Sequence, residues 1–312
     1  MDALALDLLV ASMRIASPLF FVALGGILSE RAGVFAVGLE GMMLAGAWGA
    51  TIGTFLTGMP LVGIVASIVG GALVASAVAL VAVRFGAEQM VTGLAVNILT
   101  LGITSFLLRM AVGGGRAPVI QVPLLPVWPV PYLSELPWVG PMLFTQQLLT
   151  YAALLATVPA MLLLFRTQMG LTLRAAGENP TAVFATGSNP MRVRMLAVIA
   201  SGAVAGLGGA VLCLQQVGTF TDGMTAGRGY LALAAIIVGR WMPVGALVAC
   251  LLFGAAEAVQ LRAQALALPV SSYTIQMLPY LIALIVLAAL GRSARLPAAI
   301  GVAYEAPKRP SA

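Results

Sequence analysis

Residues 166 to 194 read RTQMGLTLRAAGENPTAVFATGSNPMRVR, a long polar interruption in the second half of an otherwise apolar chain. Asn179 is a good N-cap for a helix because its side-chain oxygen can accept a free backbone N–H, and Pro180 has the fixed φ that suits the first helical position. Gly187 can adopt the left-handed conformation that closes a helix. The pattern predicts a helix over 180–186, about two turns and about 10 Å long.

A helix this short is marginal in water and needs a surface to pack against. Val183 and Phe184 give it apolar side chains able to fill a groove. Arginines flank it on both sides, at Arg166, Arg174, Arg192 and Arg194. We interpret the segment as a contact surface for a partner, whereas the apolar sequence around it is suited to a membrane.

The rest of the chain has the composition of a multi-spanning membrane protein. Of its 312 residues, 61% are hydrophobic and 8% are charged, whereas soluble domains average about 25% charged residues. Apolar windows of about 20 residues, long enough to cross a bilayer as helices, recur along the chain. They cover residues 7–28, 34–57, 61–83, 90–112, 146–165, 195–214, 224–241, 243–262 and 273–291. The spacings Gly49-xxx-Gly53 and Gly202-xxx-Gly206 predict faces where helices approach closely.

The expected fold is therefore all-α, with about nine transmembrane helices and a range of eight to ten. Residues 1–291 form the transmembrane domain, and 292–312 form a cytoplasmic tail. The window 224–241 is interrupted by Gly227-Arg228-Gly229 and could be a re-entrant half-helix. It is counted as a crossing because otherwise the arginine-bearing tail would lie outside.

The positive charges predict the orientation. If the 166–194 segment is cytoplasmic, alternation of the spans puts most of the other cations on the same side. These are Arg31, Arg84, Arg240, Arg292, Arg295, Lys308 and Arg309, against Arg109, Arg116, Arg228 and Arg262 on the other side. We expect the N-terminus outside and the C-terminus inside.

Several function classes are excluded by the residues that the sequence lacks. It contains no His, which removes the usual zinc patterns and the Ser-His-Asp and Cys-His pairings. Cys213 and Cys250 lie in apolar runs and are expected to be buried thiols. The net charge of +6 follows from orientation in the bilayer, so nucleic-acid binding is not expected. We expect no metal, no cofactor and no catalytic residue.

Polar side chains inside the apolar windows are candidates for a transport path. A carboxylate in hydrocarbon costs about 2.5–3.5 kcal/mol by insertion scales, so Glu40 and Glu257 should each face a partner or water. The alternative is a structural bond to Arg14, Arg262 or a helix terminus. Asn97 can bind a ribose or a base edge, or it can join helices. Asp222 is expected at the outer mouth of the path.

Four stretches resemble one known family. LRAAGENPTAVFATGSNPMRVR (173–194) is similar to the coupling loop of permease subunits of ABC importers, in the branch for nucleosides, sugars and branched-chain amino acids. SERAGVFAVGLEGMMLAGAWGA (29–50) and MTAGRGYLALAAIIVGRWMPVGALVACLLFGAAEA (224–258) point to its nucleoside-type members, which include general nucleoside and simple-sugar permeases. With VTGLAVNIL (91–99), the resemblance extends over nearly the whole chain. The stretch at 35–38 departs from the family, which has Asn-Ile-Gly before Leu-Glu-Gly.

The resemblance implies a subunit that is not an enzyme and that sits in the bacterial cytoplasmic membrane. Its partners would be an ABC ATPase, a second permease, preferably a different chain, and an extracytoplasmic substrate-binding protein. A P-loop needs a lysine in its motif, and the only lysine of this chain is Lys308, in the tail. The residues expected to couple to the ATPase are Gly177, Glu178, Asn179, Pro180, Val183, Phe184 and Gly187.

The proline-rich outer loop, 113–145, is expected to be extended or turn-rich. Trp128, Tyr132 and Trp138 suit the membrane–water interface. The loop is either a stiff connector or, as the resemblance implies, the docking surface for the binding protein.

Two further functions compete with nucleoside import. A simple-sugar or branched-chain amino acid permease would share the architecture. An ion-coupled secondary transporter would use Glu40 and Glu257 as ion sites. A membrane enzyme is disfavoured because no nucleophile–base pair is present.

Overall fold

The computed structural model describes residues 3–112, 119–132, 134–135, 140, 143–266, 272–290 and 295–304. Helices dominate this part of the chain, as expected for an all-α protein. In order they are α1 (Ala3–Arg31), α2 (Leu39–Thr57), α3 (Pro60–Val78), α4 (Gln89–Val112), α5 (Leu148–Arg166), α6 (Gln168–Glu178), α7 (Pro180–Ala185), α8 (Pro190–Val211), α9 (Arg228–Val238), α10 (Pro243–Ala265), α11 (Ser272–Gln276) and α12 (Leu278–Leu290). A π-helical turn extends α3 to Arg84, and another extends α8 to Val217.

Among the described residues, six helices are long and apolar enough to cross a membrane. They are α1, α3, α4, α5, α8 and α10, and each occupies one of the predicted windows. The other three windows hold α2, α9 and α12. The chain is thus a multi-pass membrane protein, while about nine crossings remains a prediction.

The window 224–241 differs from a simple span. Its helix, α9, begins only at Arg228 and has 11 residues, about 16 Å at 1.5 Å per residue. That is about half of the hydrocarbon thickness. Residue 221 before it has no regular structure, and residues 222–227 are turns. The segment is therefore a loop followed by a half-helix.

The core is formed where α1, α2, α3 and α8 cross at small residues. The predicted Gly202–Gly206 face of α8 contacts α3, since a Cβ atom at Gly206 would overlap the Ser67 backbone. A Cβ atom at Gly70 of α3 would lie 2.6 Å from the carbonyl oxygen of Ala45 in α2. Small residues let helix backbones approach closely where lipid gives no hydrophobic driving force. The sequence prediction of close helix packing is confirmed.

Short strands cover one end of the bundle. β1 (Ile120–Gln121) pairs antiparallel with β4 (Thr219–Phe220), and β2 (Val127–Pro129) pairs antiparallel with β3 (Thr145–Gln147). Trp128 and Tyr132 are exposed there, whereas Trp138 and Arg116 lie outside the described residues. The extended character expected for this loop is present in its described part.

Gly46 tests the packing of α2 on α8. A Cβ atom at Gly46 would overlap the backbone of Gly206, whereas a Cβ atom at Gly102 of α4 would have no neighbour within 4 Å. We expect Gly46→Ala to lower the thermal unfolding midpoint of detergent-purified protein by several degrees because two backbones must separate. Gly102→Ala is the matched control and should leave it unchanged. Equal midpoints for both variants would contradict this packing.

Candidate functional site

The short helix predicted in the polar segment is α7, from Pro180 to Ala185, one residue shorter than expected. Asn179 is its N-cap, with the side-chain oxygen accepting from the Ala182 N–H at 3.1 Å. Gly187 follows with φ +83°, in the left-handed region that glycine tolerates. A single residue, Asn179, separates α7 from α6.

The apolar side chains of α7 point to different environments. Val183 is 3% exposed and packs within the chain, whereas Phe184 is 47% exposed. Phe184 is therefore available to an external groove, and Val183 holds the helix in place. The exposed residue is the better candidate for direct contact with a partner.

The end of α6 packs on the end of α1 and on the C-terminal segment. Gly177 accepts a hydrogen bond from the Ala299 N–H at 2.8 Å. The Glu178 carboxylate accepts from the Ala298 N–H at 3.3 Å. Residues 295–304 of the predicted tail thus lie on the same side of the protein as the end of α6. Residues 292–294 and 305–312 are outside the described residues.

Glu40, in the first turn of α2, holds the start of the half-helix α9. Its carboxylate accepts from the Gly227 N–H at 2.9 Å and from the Gly229 N–H at 2.6 Å. A helix N-terminus has unpaired N–H groups and the positive end of the helix dipole, both of which favour a carboxylate. Among the partners that the sequence analysis considered for Glu40, the structure shows a helix terminus, the N-terminus of α9.

Two glycines make this contact possible. Gly227 is the N-cap of α9 with φ +82°. A Cβ atom at Gly229 would lie 2.6 Å from the backbone nitrogen of Glu40. Larger residues would strain the turn at the first position and push α9 away from α2 at the second.

Asn97 of α4 joins α2 to α9. Its side-chain oxygen accepts from the Gly41 N–H at 2.8 Å, and its amide nitrogen donates to the Val37 carbonyl at 2.9 Å and to the Tyr230 hydroxyl at 3.0 Å. An amide has two N–H donors, and both are accounted for. Of the two interpretations of Asn97, this geometry favours the one that joins helices.

A cavity of about 240 Å³ lies beside this junction. Its polar lining comes from Glu40, Asn97, Thr225 and Tyr230. Asp222 is exposed in the turn just before the lining residue Gly223. Pockets for small molecules are usually about 300–1,000 Å³, so this cavity has the volume of only part of a small-molecule pocket.

Glu257 forms an ion pair with Arg228 in the first turn of α9. The sequence analysis offered a structural bond to Arg14, Arg262 or a helix terminus as one alternative for Glu257. The structural ion pair is present, but its partner is neither Arg14 nor Arg262. The Arg14 Nε donates instead to the Gln146 side chain at 3.1 Å. The correct partner comes from the broken segment, whose turn brings Arg228 to face α10.

A buried group at the opposite end of α9 was missed by the sequence analysis. Glu30 accepts from the Trp241 indole N–H and from the Ala36 N–H. Arg31 Nε donates to the Trp241 carbonyl at 3.0 Å. These bonds join the end of α1 to the turn after α9. The adjacent Glu30-Arg31 pair at the end of an apolar window was the available signal.

The structure also describes where the thiols lie. Cys213 and Cys250 are buried and unpaired, as expected. Within the described ranges there is no group of three or more His, Cys, Asp and Glu side chains that could hold a metal ion.

Comparisons with known proteins agree with this architecture. The family described as branched-chain amino acid transport system / permease component matches residues 8–290. The guanosine ABC transporter permease protein NupQ of Bacillus subtilis is 34% identical over 310 residues, 96% of each chain. The nucleoside ABC transporter permease protein NupC of Lactococcus lactis is 36% identical over 309 residues, 96% of this chain and 97% of its own.

A third relative carries a different substrate in its name. The putative glucose ABC transporter permease protein TsgC13 of Haloferax volcanii is 36% identical over 266 residues, 85% of this chain and 80% of its own. No solved structure gives a significant match to this chain.

Substitutions of Glu40 test whether its carboxylate holds the half-helix α9 in place. An unpaired buried N–H costs about 1–3 kcal/mol, so Glu40→Ala should lower the thermal unfolding midpoint of the purified protein by several degrees. Glu40→Gln should lower it less because its amide oxygen still accepts one hydrogen bond. Asp222→Ala, at an exposed position in the turn before the half-helix, is the control and should match the unchanged protein. A Glu40→Ala midpoint equal to the control would show that the carboxylate does not hold α9.

Proposed function

Because the chain belongs to the family of branched-chain amino acid transport system permease components, we propose that it is the permease subunit of an ABC importer for nucleosides. The observation that carries the substrate class is 34% and 36% identity, over almost the whole chain, to permeases named for guanosine and for nucleosides. The chain itself performs no covalent chemistry. ATP hydrolysis belongs to a separate subunit, consistent with a single lysine at 308.

The coupling helix is α7, which docks into a cleft of the ATPase. Support comes from its geometry: it is capped by Asn179 and anchored by the buried Val183, and it presents the half-exposed Phe184. A short, anchored helix transmits displacement better than a flexible loop does. Gly177, Glu178, Asn179, Pro180 and Gly187 set its position.

The orientation follows from this assignment. If α7 faces the cytoplasm, residues 295–304 do so as well, because Ala298 and Ala299 bond to the end of α6. The N-terminus of α1 is then outside. The chain has nine crossings, one of which is the loop 221–227 together with the half-helix α9.

The substrate path runs along the cavity beside Glu40. Glu40 and Asn97 shape it by holding the loop and α9 in place, and Asp222 lies at its outer end. The cavity is partial, and the neighbouring α4 has exposed apolar side chains such as Ile98 and Phe106. A second permease, different from this chain, completes the path on this side. An extracytoplasmic binding protein delivers the nucleoside to the strand-covered end.

Simple sugars are the second candidate substrate class, because the similar TsgC13 is named as a putative glucose permease. Nucleosides carry a ribose and simple sugars are also rich in hydroxyl groups, so the two substrate classes share this chemistry. Ion-coupled transport has less support, since Glu40 is bonded to backbone N–H groups and Glu257 to Arg228.

The test is uptake by proteoliposomes that contain this chain with its ATPase, partner permease and binding protein. We expect ATP-dependent accumulation of labelled guanosine, which excess unlabelled nucleosides inhibit and excess glucose does not. Vesicles without the ATPase should accumulate none. Uptake that persists without the ATPase, or that glucose alone inhibits, would contradict nucleoside import by an ABC complex.

Phe184 tests the docking role of α7. We expect Phe184→Asp to lower guanosine uptake and ATPase stimulation by about 10-fold or more, because a charge must be desolvated in an apolar cleft. Membrane insertion and the unfolding midpoint should not change, since the side chain is half exposed. Phe184→Leu is the matched control and should retain most activity. Val183→Asp is expected to destabilise the protein as well, because Val183 is buried. Normal ATP-driven uptake by Phe184→Asp would contradict docking through this residue.

A further inference from the structure

A buried arginine lies beside the end of α6, and the function proposed above assigns it no role. Arg194, in the second turn of α8, is 2% exposed. Its Nε donates to the Ala32 carbonyl at 3.1 Å, and its Nη1 donates to the Val302 carbonyl at 2.8 Å. Its Nη2 donates to the carbonyls of Ala176 and Ala299, each at 3.3 Å. Among the described residues its guanidinium contacts carbonyl oxygens and forms no ion pair with a carboxylate.

The carbonyls come from three segments that are distant in sequence. Ala32 follows the end of α1, Ala176 lies in the last turn of α6, and Ala299 and Val302 belong to the C-terminal segment. The last carbonyls of a helix have no partner in the helix and carry the negative end of its dipole. The planar guanidinium offers five N–H donors in fixed directions, whereas an ammonium is a compact point charge. Arginine is therefore suited to join the ends of α1 and α6 and the C-terminal segment at one point.

Direct contacts also join these segments to one another, so that together with Arg194 they form one unit. The Ala299 N–H donates to the Gly177 carbonyl at 2.8 Å. The backbones of Gly177 and Gly33 are so close that a Cβ atom at Gly177 would lie 2.9 Å from the Arg31 carbonyl carbon and 3.0 Å from the Gly33 nitrogen. The end of α6 is thus fixed to α1, α8 and the C-terminal segment together.

The position of this unit gives it a mechanical consequence. Only Asn179 separates the end of α6 from the coupling helix α7. A displacement of α7 therefore either moves the whole unit, with α1 and α8, or breaks the bonds around Arg194. In the first case the displacement reaches two transmembrane helices directly.

We propose that Arg194 is a positioning residue for coupling. It joins the end of α6, which leads into the coupling helix α7, and residues 295–304 to α1 and α8 as one moving unit. The C-terminal segment is then a working part of the coupling device rather than a loose tail. This inference rests on the proposed function, because it assigns Arg194 to the transfer of motion from the ATPase.

A purely structural arginine and a positioning arginine differ in one measurable ratio. If Arg194 only stabilises the fold, its loss lowers uptake and ATP hydrolysis together, in proportion to the amount of folded complex. If it transmits motion, the assembled complex still hydrolyses ATP but moves less substrate. The number of nucleosides transported per ATP hydrolysed separates the two cases.

The experiment uses the complete complex in proteoliposomes, with the complex quantified after purification. The variants are Arg194→Met and Arg194→Lys, and the control is Arg109→Lys, at an exposed arginine in the last turn of α4. We expect Arg194→Met to lower the guanosine-to-ATP ratio about fivefold or more, the low end of typical coupling between sites. Arg194→Lys should be intermediate because it keeps the charge but not the fork of donors. Arg109→Lys should keep the ratio of the unchanged protein.

A substitution at a residue other than Arg194 provides an independent test of the same unit. Ala299→Pro removes the N–H that donates to Gly177 and should lower the same ratio while leaving Arg194 in place. If Arg194→Met does not assemble, Arg194→Lys and Ala299→Pro decide the question. An unchanged ratio in the assembled Arg194 and Ala299 variants would overturn the inference and leave the proposed function intact. A complete unmodified complex that hydrolyses ATP without nucleoside uptake would overturn the proposed function and the inference with it.

Discussion

The position of the start of α9 depends on a single carboxylate. The half-helix α9 begins inside an apolar bundle, where its first N–H groups have no assured water to bond, and Glu40 accepts from two of them. The negative charge also lies at the positive end of the α9 dipole. Asn97 then joins the same region of α2 to Tyr230 of α9. Without this acceptor the break before α9 would leave polar groups unpaired in a medium where each one is costly.

The end of the protein that contains α6 and α7 has the complementary arrangement. There the groups that need a donor are carbonyls, and Arg194 donates to four of them: Ala32 and Ala176 at helix ends, and Ala299 and Val302 in the C-terminal segment. The two charged centres are linked by a short stretch of chain, because Ala32 is bonded to Arg194 and Glu40 follows eight residues later. The Phe35 N–H within this stretch donates to the Gln89 side chain at 2.7 Å, which also fixes it to the start of α4. In the proposed mechanism, a displacement of α7 would reach the cavity through this short segment of the chain.

The features that could be predicted from the sequence are local or periodic. Asn179 and Pro180 start α7 because capping depends on neighbours within three residues, and the glycine spacing of α8 predicted its close approach to α3. The contacts of Arg194, Asn97 and Glu257 could not be predicted, because each joins residues that are far apart in the chain. Hydropathy also could not place the start of α9, since the window 224–241 is apolar enough overall and only Gly227-Arg228-Gly229 indicates the break.

The central claim is our proposal that the turn before α9, held by Glu40, lines the substrate path and that access to this path changes with the state of the ATPase. The most direct measurement is the rate at which a membrane-impermeant thiol reagent modifies Ala226→Cys in the assembled complex, with and without ATP. Ala226 is exposed and lines the cavity, and the native Cys213 and Cys250 are buried, so the background should be low. The account predicts a modification rate that differs between the two nucleotide states. No modification in either state, or equal rates in both, would contradict it.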